Sequence, residues 1–216
     1  MNEIIKLIFG FLPTLLWFSL ALAVLIIFYK PIRNELLPNL SGFKAMGLEL
    51  AFITKSINDA LELAEKNKKW IVDVPPEAKE NVLNRAKQHL KILKDAQIFW
   101  IDDCPENNLN EWQMFFQLRT KIDIAKSTDE ALKKLAEKKY DLIISDMARK
   151  EGEKDLADAG IRFLTKFREK NSKTPVIFYI GVYKPEKGLP PGAFGITNRP
   201  DELLHLVIDA LSRQKF

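Results

Sequence analysis

"QIFWIDDCPENN", residues 97–108, ends a short apolar run with two adjacent carboxylates, Asp102 and Asp103, which are followed at once by a turn. An apolar run of this length before a turn is typical of a buried strand. Two like charges at the end of that strand repel each other and lose hydration, and both effects cost free energy. The pair therefore indicates a function rather than a role in packing.

From this stretch to the end of the chain, apolar runs alternate with segments of helical periodicity. The apolar runs predict five strands, at residues 97–101, 121–126, 140–146, 174–180 and 193–197. Helical spacing predicts helices at residues 109–120, 127–139, 157–171 and 200–214, and Ser127 and Glu130 form a capping box at the start of the second. Strands mostly separated by helices predict an α/β domain whose parallel sheet is covered on both faces.

In this predicted topology, three carboxylates fall at one edge of the sheet. Asp102 and Asp103 follow the first strand, and Asp146 follows the third. Ligand sites of parallel sheets lie at the carboxyl ends of the strands. A hard cation such as Mg²⁺ would neutralise clustered carboxylates, and an aspartate can also accept a phosphoryl group.

Residues 97–214 resemble the receiver domain of bacterial response regulators. That family has an acidic pair after the first strand, a phospho-accepting aspartate after the third, a Ser/Thr after the fourth and a Lys-Pro after the fifth. "GAFGITNRP", residues 192–200, is similar to the family's segment around the fifth strand. The resemblance implies a flavodoxin-like, five-stranded parallel sheet. It also implies that Asp102, Asp103 and Asp146 bind Mg²⁺ and that Asp146 is the phospho-acceptor.

Three features depart from the family's pattern. Arg199 occupies the position of the lysine; its guanidinium can contact a phosphoryl oxygen but is not a compact point charge. Ile180 occupies the position of the Ser/Thr and cannot donate a hydrogen bond. "VYKPEKGLPP", residues 182–191, has three prolines where the family has its fourth helix, and this predicts that no helix forms there. Together these departures favour a degenerate, pseudo-receiver-like domain.

The N-terminal part of the sequence predicts a membrane anchor. Residues 7–29 contain no charged side chain, and as a helix they would span about 35 Å, enough to cross a bilayer. "ALA" at residues 21–23 resembles a signal-peptide cleavage site, but the apolar run continues past it, which favours an uncleaved anchor. Basic residues are more frequent after the run than before it. This predicts a single-pass protein of the inner (cytoplasmic) membrane with its C-terminal domain in the cytoplasm.

Between the anchor and the α/β domain, two amphipathic helices are predicted. Their apolar residues recur at three- and four-residue steps. These residues are Leu50, Ile53, Ile57, Leu61 and Ala64 in the first helix, and Val82, Leu83, Ala86, Leu90 and Leu93 in the second. The stripes fit an antiparallel hairpin or a coiled-coil-like oligomerisation stalk. The predicted domains are an anchor at 1–30, a helical hairpin or stalk at 31–95, and a receiver-like domain at 96–216.

Composition excludes several classes of function. The 33 Lys+Arg and 29 Asp+Glu give a formal net charge of +4 without a basic stripe, so we expect no nucleic-acid binding. A single cysteine, Cys104, excludes an intramolecular disulfide. The two histidines, His89 and His205, lie in separate segments and offer no Cys/His metal site. No general base or activated Ser or Cys triad can be placed, so we expect the protein not to be an enzyme.

These patterns predict a membrane-anchored, cytoplasmic receiver-like signalling protein that acts by docking or assembly, with phosphorylation at Asp146 left open. The predicted partners are the lipid bilayer, further copies of the chain through the transmembrane helix and stalk, and a histidine kinase or other protein. An alternative is an oligomeric membrane effector, for example in antiphage defence. In that case the receiver-like domain would sense a ligand or partner and the transmembrane helices would perturb the bilayer.

Overall fold

The computed structural model describes residues 16–24, 26, 27, 29, 37–66, 74–182, 186 and 188–214. The chain forms two compact units, residues 1–50 and 51–216. The first unit includes helical residues 16–24 and the first part of helix α1 (Leu37–Lys66), and the second includes the rest of α1. The stretch predicted as a stalk, residues 31–95, is thus divided between the two units.

The prediction of a membrane anchor and a membrane location is wrong for the described residues. Among them, no helix is both long enough and apolar enough to cross a bilayer. Helix α1 is long enough, with 30 residues, but it contains several charged side chains: Lys44, Glu49, Lys55, Asp59, Glu62, Glu65 and Lys66. The described part of the predicted anchor comprises residues 16–24, 26, 27 and 29. The other residues of the predicted anchor, 1–15, 25, 28 and 30, lie outside the described residues.

The second unit alternates strands and helices in the predicted order. After α1 come α2 (Pro76–Gln88) and the short α3 (Leu90–Leu93). The strands are β1 (Gln97–Ile101), β2 (Lys121–Ala125), β3 (Leu142–Ser145), β4 (Arg149–Glu151), β5 (Lys154–Leu156), β6 (Val176–Tyr179) and β7 (Gly195–Thr197). The helices between and after them are α4 (Leu109–Gln117), α5 (Thr128–Glu137), α6 (Ala159–Arg168) and α7 (Pro200–Gln214), and a 3-10 turn (Pro105–Asn108) precedes α4.

Five strands form one sheet in the order β2-β1-β3-β6-β7, and every neighbouring pair is parallel. Numbered within this sheet alone, the order is 2-1-3-4-5, which is that of flavodoxin-like doubly wound folds. The predicted five-stranded parallel sheet is therefore confirmed. In this order the chain reverses its winding direction between β1 and β3, and the crevice above their carboxyl ends is where such folds bind ligands.

Alternate residues of the central strands divide the core into two clusters, one on each face of the sheet. Ile98 and Trp100 of β1 belong to the first cluster, whereas Phe99 and Ile101 belong to the second. Side chains on a strand point alternately to opposite faces, so a continuous apolar run is needed when both faces are covered. Helices α4 and α7 contribute to the first cluster, and α5 and α6 contribute to the second.

The apolar stripes of α1 and α2 also belong to the first cluster. Ile53, Ile57 and Leu61 of α1 are at most 1% exposed, and Val82 and Ala86 of α2 are fully buried. Helix α2 packs against α7, the last helix of the α/β domain. These residues of the predicted stalk therefore form part of the same core as the sheet.

Two connections differ from a simple alternation of strand and helix. The segment after β3 forms a β4–β5 hairpin, in which Arg149 pairs with Leu156 and Glu151 with Lys154 across a turn at Gly152. This hairpin was not predicted. Between β6 and β7, the described residues contain no α-helix. The prediction for residues 182–191 falls partly on residues 183–185 and 187, which lie outside the described residues.

Candidate functional site

Asp102, Asp103 and Asp146 lie together at the carboxyl edge of the sheet. Ile101 pairs with Ser145 in the parallel ladder between β1 and β3, so the residues that follow them leave the sheet side by side. Each of the three aspartates offers a carboxylate oxygen, and these oxygens lie within 4.8 Å of one another. The structure thus brings together the three acidic residues that the sequence singled out.

Hydrogen bonds orient all three carboxylates. Asp102 accepts from the backbone N–H of Cys104 at 2.7 Å and from the side-chain amide of Asn108 at 2.6 Å. Asp146 accepts from the backbone N–H of Met147 at 2.6 Å. Asp103 accepts from the backbone N–H of Lys150, in strand β4, at 3.0 Å. The hairpin after β3 is therefore in direct contact with the acidic cluster.

Burial makes two of the carboxyl groups harder to ionise. Desolvation raises the pKa of Asp102 above its ordinary value, and the neighbouring charge of Asp103 adds to this effect. Desolvation, together with the charge of Asp102, raises the pKa of Asp146 to about 6. A positive charge placed among these carboxylates would favour their ionised forms and so lower the pKa values of Asp102 and Asp146.

A buried arginine lies beside this cluster. The side chain of Arg149 has no exposed surface. Its Nη1 donates to the carbonyl oxygen of Asp146 at 2.5 Å and to Oγ of Ser145 at 2.8 Å, while Nη2 donates to Oγ1 of Thr128 at 3.1 Å. Its Nε is buried and has no hydrogen-bond partner among the described residues. The positive charge of Arg149 lowers the pKa values of Asp102 and Asp146, against the larger effect of burial.

Glu151, on the same hairpin, connects the hairpin to helix α5. Its carboxylate accepts from the backbone N–H of Thr128 at 2.9 Å and 3.0 Å, and from the Thr128 hydroxyl at 2.5 Å. Thr128 is the first residue of α5, and a carboxylate there satisfies an unpaired N–H and interacts favourably with the helix dipole. Glu151 also contacts Nη2 of Arg149, at the longer distance of 3.4 Å.

Arg199 and Ile180, which the sequence analysis singled out, both make contacts within the domain. The guanidinium of Arg199 pairs with Asp201, two residues further along the chain, where α7 begins. The side chain of Ile180 packs against the second hydrophobic cluster.

Gly160, in the first turn of α6, allows that helix to approach the site closely. A Cβ at this position would lie 2.6 Å from the carbonyl oxygen of Asp146 and 2.7 Å from Cε1 of Phe178. Real Cβ atoms essentially never come so close to other atoms. The absence of a side chain at Gly160 therefore determines how closely α6 packs over the end of β3.

The donor set of the acidic cluster fits a hard divalent cation. Carboxylate oxygens are the ligands that Mg²⁺, Ca²⁺ and Mn²⁺ prefer, and Mg²⁺ is commonly held by one or two carboxylates with several waters. Asp102, Asp103 and Asp146 would hold such an ion. Its charge would also offset the desolvation that raises the pKa values of Asp102 and Asp146.

The sequence-based interpretation missed the residues that surround the acids: Thr128, Arg149, Glu151 and Gly160. A signal for the hairpin is present in "RKEGEKDL", residues 149–156, where a central glycine separates two short polar segments. Gly152 has a φ of +64°, a conformation that glycine adopts without steric cost. Nothing in the local sequence indicates that Arg149 is buried.

No protein-family model and no curated protein matches the chain. Solved structures of response regulators resemble part of it. A chemotaxis response regulator of Vibrio cholerae has 21% sequence identity and a TM-score of 0.45, and the match covers 55% of this chain and 99% of that one. A response regulator of Thermotoga maritima, in complex with Mg²⁺ and BeF, has 23% identity and a TM-score of 0.46, with 53% and 98% covered. A CheY-like receiver domain protein of Methanospirillum hungatei has 20% identity and a TM-score of 0.47, with 56% and 98% covered.

Proposed function

We propose that the protein is a receiver-like signalling module that acts by docking or assembly with a protein partner and is not an enzyme. The observation that carries this proposal is the acidic cluster of Asp102, Asp103 and Asp146 at the carboxyl edge of a sheet with the order 2-1-3-4-5. We further propose that this cluster holds a divalent cation, Mg²⁺ or Mn²⁺, and that the bound ion stabilises the loops around it.

Two contacts favour docking over a phosphorylation switch. The guanidinium of Arg199 is held by the carboxylate of Asp201. The side chain at residue 180 is apolar and contributes to the core. A phosphoryl group on Asp146 would therefore have neither a lysine at residue 199 nor a hydroxyl at residue 180 to contact. Phosphorylation would then add few contacts that favour one conformation of the domain over another. A ligand shifts a conformational equilibrium only through such differential contacts.

The competing proposal is that Asp146 accepts a phosphoryl group from a histidine kinase. Its carboxylate is buried beside two other acids, and the rise of its pKa to about 6 leaves it mostly ionised at neutral pH, as a nucleophile must be. The two proposals share the fold and the cation site. They differ in whether phosphate is transferred to Asp146.

The test uses the 216-residue chain, Mg²⁺ or Mn²⁺ and a small phosphodonor such as acetyl phosphate. We expect calorimetric titration to detect cation binding that is lost in Asp102→Asn and Asp146→Asn and retained in Asp158→Asn, a change at an exposed aspartate. We expect intact-mass measurement to show no phosphoryl adduct. An adduct that disappears in Asp146→Asn would overturn the docking proposal in favour of phosphorylation. Absence of cation binding would overturn the proposed role of the acidic cluster.

A further inference from the structure

The hairpin inserted after β3 places a permanent positive charge next to the acidic cluster. Arg149 is the first residue of β4, and its side chain is fully buried. Burying a guanidinium is unfavourable unless negative charge and hydrogen-bond acceptors compensate for the lost hydration. Hydrogen bonds satisfy both terminal nitrogens of Arg149. They donate to the hydroxyls of Ser145 and Thr128 and to the carbonyl oxygen of Asp146.

The nearest anionic partner of Arg149 compensates for its charge only in part. Glu151 contacts Nη2 of Arg149 at 3.4 Å, which is long for a charge-assisted hydrogen bond. Its two carboxylate oxygens instead make three shorter hydrogen bonds with Thr128, at 2.5–3.0 Å. The acidic cluster is the next source of negative charge, because Nη1 of Arg149 donates to the backbone carbonyl oxygen of Asp146 at 2.5 Å, and the next residue of β4, Lys150, donates its backbone N–H to the carboxylate of Asp103 at 3.0 Å.

Arg149 and a divalent cation would therefore neutralise the same carboxylates. Both are positive, and in a desolvated site the repulsion between them is weakly screened. From this geometry we infer that Arg149 is an internal counter-cation of the acidic cluster, which keeps the pocket ordered without a metal and lowers its affinity for a divalent cation. This inference rests on the proposed cation site and adds the residue that regulates its occupancy.

The sign of the effect separates this role from a merely structural one. If Arg149 only supported the fold, removing it would leave cation affinity unchanged or weaken it. As a competing charge, its removal should strengthen binding. We therefore expect Arg149→Met to bind Mn²⁺ roughly three- to tenfold more tightly than the parent chain. We also expect its thermal unfolding temperature to fall in EDTA and to recover in Mn²⁺ more than that of the parent chain does.

Two further variants keep the test decisive if Arg149→Met does not fold. Arg149→Gln also removes the charge but retains amide N–H donors, so we expect it to bind Mn²⁺ roughly three- to tenfold more tightly as well. Arg149→Lys retains the charge, so we expect it not to bind more tightly than the parent chain. Arg162→Met is the matched control, because Arg162 is exposed and pairs with Asp158 on the surface of α6, and its affinity should not change.

The outcomes separate this inference from the proposed function. Calorimetric titration of the parent chain with Mn²⁺ comes first, and if it detects no binding, the proposed cation site and this inference are both overturned. If the parent chain binds Mn²⁺ but a folded Arg149→Met variant binds equally or more weakly, only the inference is overturned. Tighter binding by Arg149→Met or Arg149→Gln, with no tighter binding by Arg149→Lys and no change in Arg162→Met, supports it.

Discussion

The guanidinium of Arg199 donates two hydrogen bonds to the carboxylate of Asp201, from Nε at 3.1 Å and from Nη2 at 2.6 Å. The side chain of Asp201 is only 3% exposed and that of Arg199 is 32% exposed, so the pair is largely shielded from water. Planar, two-bond pairs of this kind are stronger than ordinary surface ion pairs. This contact determines the position of the Arg199 guanidinium, which follows β7.

We expect the pair to contribute measurably to stability. In a double-mutant cycle of Arg199→Ala and Asp201→Asn, urea unfolding should give a coupling free energy of about 1–3 kcal/mol. The pair of Arg162 and Asp158 is the control, because it is exposed and spaced i, i+4 on a helix, and should give about 0.3–0.5 kcal/mol. If the two cycles give similar coupling, Arg199 is not held by Asp201 in solution.

Gly160→Ala should destabilise the protein by about 1–3 kcal/mol, because the new Cβ would overlap the carbonyl oxygen of Asp146 and the ring of Phe178. Chemical denaturation measures the loss. Gly47→Ala is the matched control, since Gly47 lies within α1 and a Cβ there meets nothing within 4 Å. That change should leave stability unchanged or raise it by up to about 1 kcal/mol. Equal effects of the two substitutions would contradict the close packing of α6.

Glu111→Gln should stabilise the protein increasingly as pH rises. Glu111 is 6% exposed, and desolvation raises its pKa even though it accepts a hydrogen bond from Tyr179 at 2.8 Å. As pH rises above the ordinary pKa of a glutamate, the Glu111 carboxyl group loses its proton in the unfolded chain before it does so in the folded chain. Ionisation of Glu111 therefore lowers the free energy of unfolding. Glutamine removes this penalty and retains an oxygen that accepts from Tyr179.

Urea unfolding at several pH values between 4 and 8 measures the stability difference between Glu111→Gln and the parent chain. Glu130→Gln should show the opposite trend, because hydrogen bonds from Lys134 and from the backbone of Lys126 lower the pKa of Glu130. Its stabilising contribution is present at neutral pH and is lost as pH falls. A flat difference for Glu111→Gln would mean that Glu111 is not desolvated.

His205 should make the protein less stable as pH falls from 7.5 to 5.5. Its Nδ1 lies 3.1 Å from Nη1 of Arg85 on α2 and can accept a hydrogen bond only when the ring is neutral. Burial and the charge of Arg85 lower the pKa of His205, although the charges of Asp201, Asp209 and Glu202 oppose this shift. As pH falls, His205 is therefore protonated in the unfolded chain at a higher pH than in the folded chain. The stability that neutral His205 contributes is lost as pH falls through the ordinary pKa of histidine.

The measurement is the free energy of unfolding at pH 7.5 and pH 5.5, for the parent chain and for His205→Gln. The parent chain should lose more stability between these pH values than the variant does, because the comparison cancels the other titrating groups. His89→Gln serves as a control at the other histidine, whose contact with Arg85 is made by its backbone N–H, which donates to the carbonyl oxygen of Arg85 at 3.1 Å. If the parent chain and His205→Gln lose the same stability, protonation of His205 does not weaken the contact between α2 and α7.

Sequence pattern alone determined the sheet, the order of most elements and the position of the three acids. Strands that are buried on both faces must be continuous apolar runs, and helices that cover them must have an apolar stripe, so both signals are local. "QIFWI" became β1 with its predicted bounds, and Ser127 accepts from the backbone N–H of Glu130 at the start of α5, as its capping motif predicts. The convergence of Asp102 and Asp146 followed from parallel strand order alone.

Only the tertiary structure decided which residues surround the three aspartates and what buries the apolar faces of α1 and α2. The burial of Arg149 depends on a hairpin whose side chains reach α5 and β3, and the pairing of Arg199 with Asp201 depends on how the chain leaves β7. The stripe of α1 that includes Ile57 looks the same in sequence whether it faces another copy, a membrane or its own sheet. Amphipathic periodicity identifies the face of a helix that is buried, but contacts between distant parts of the chain determine what buries it.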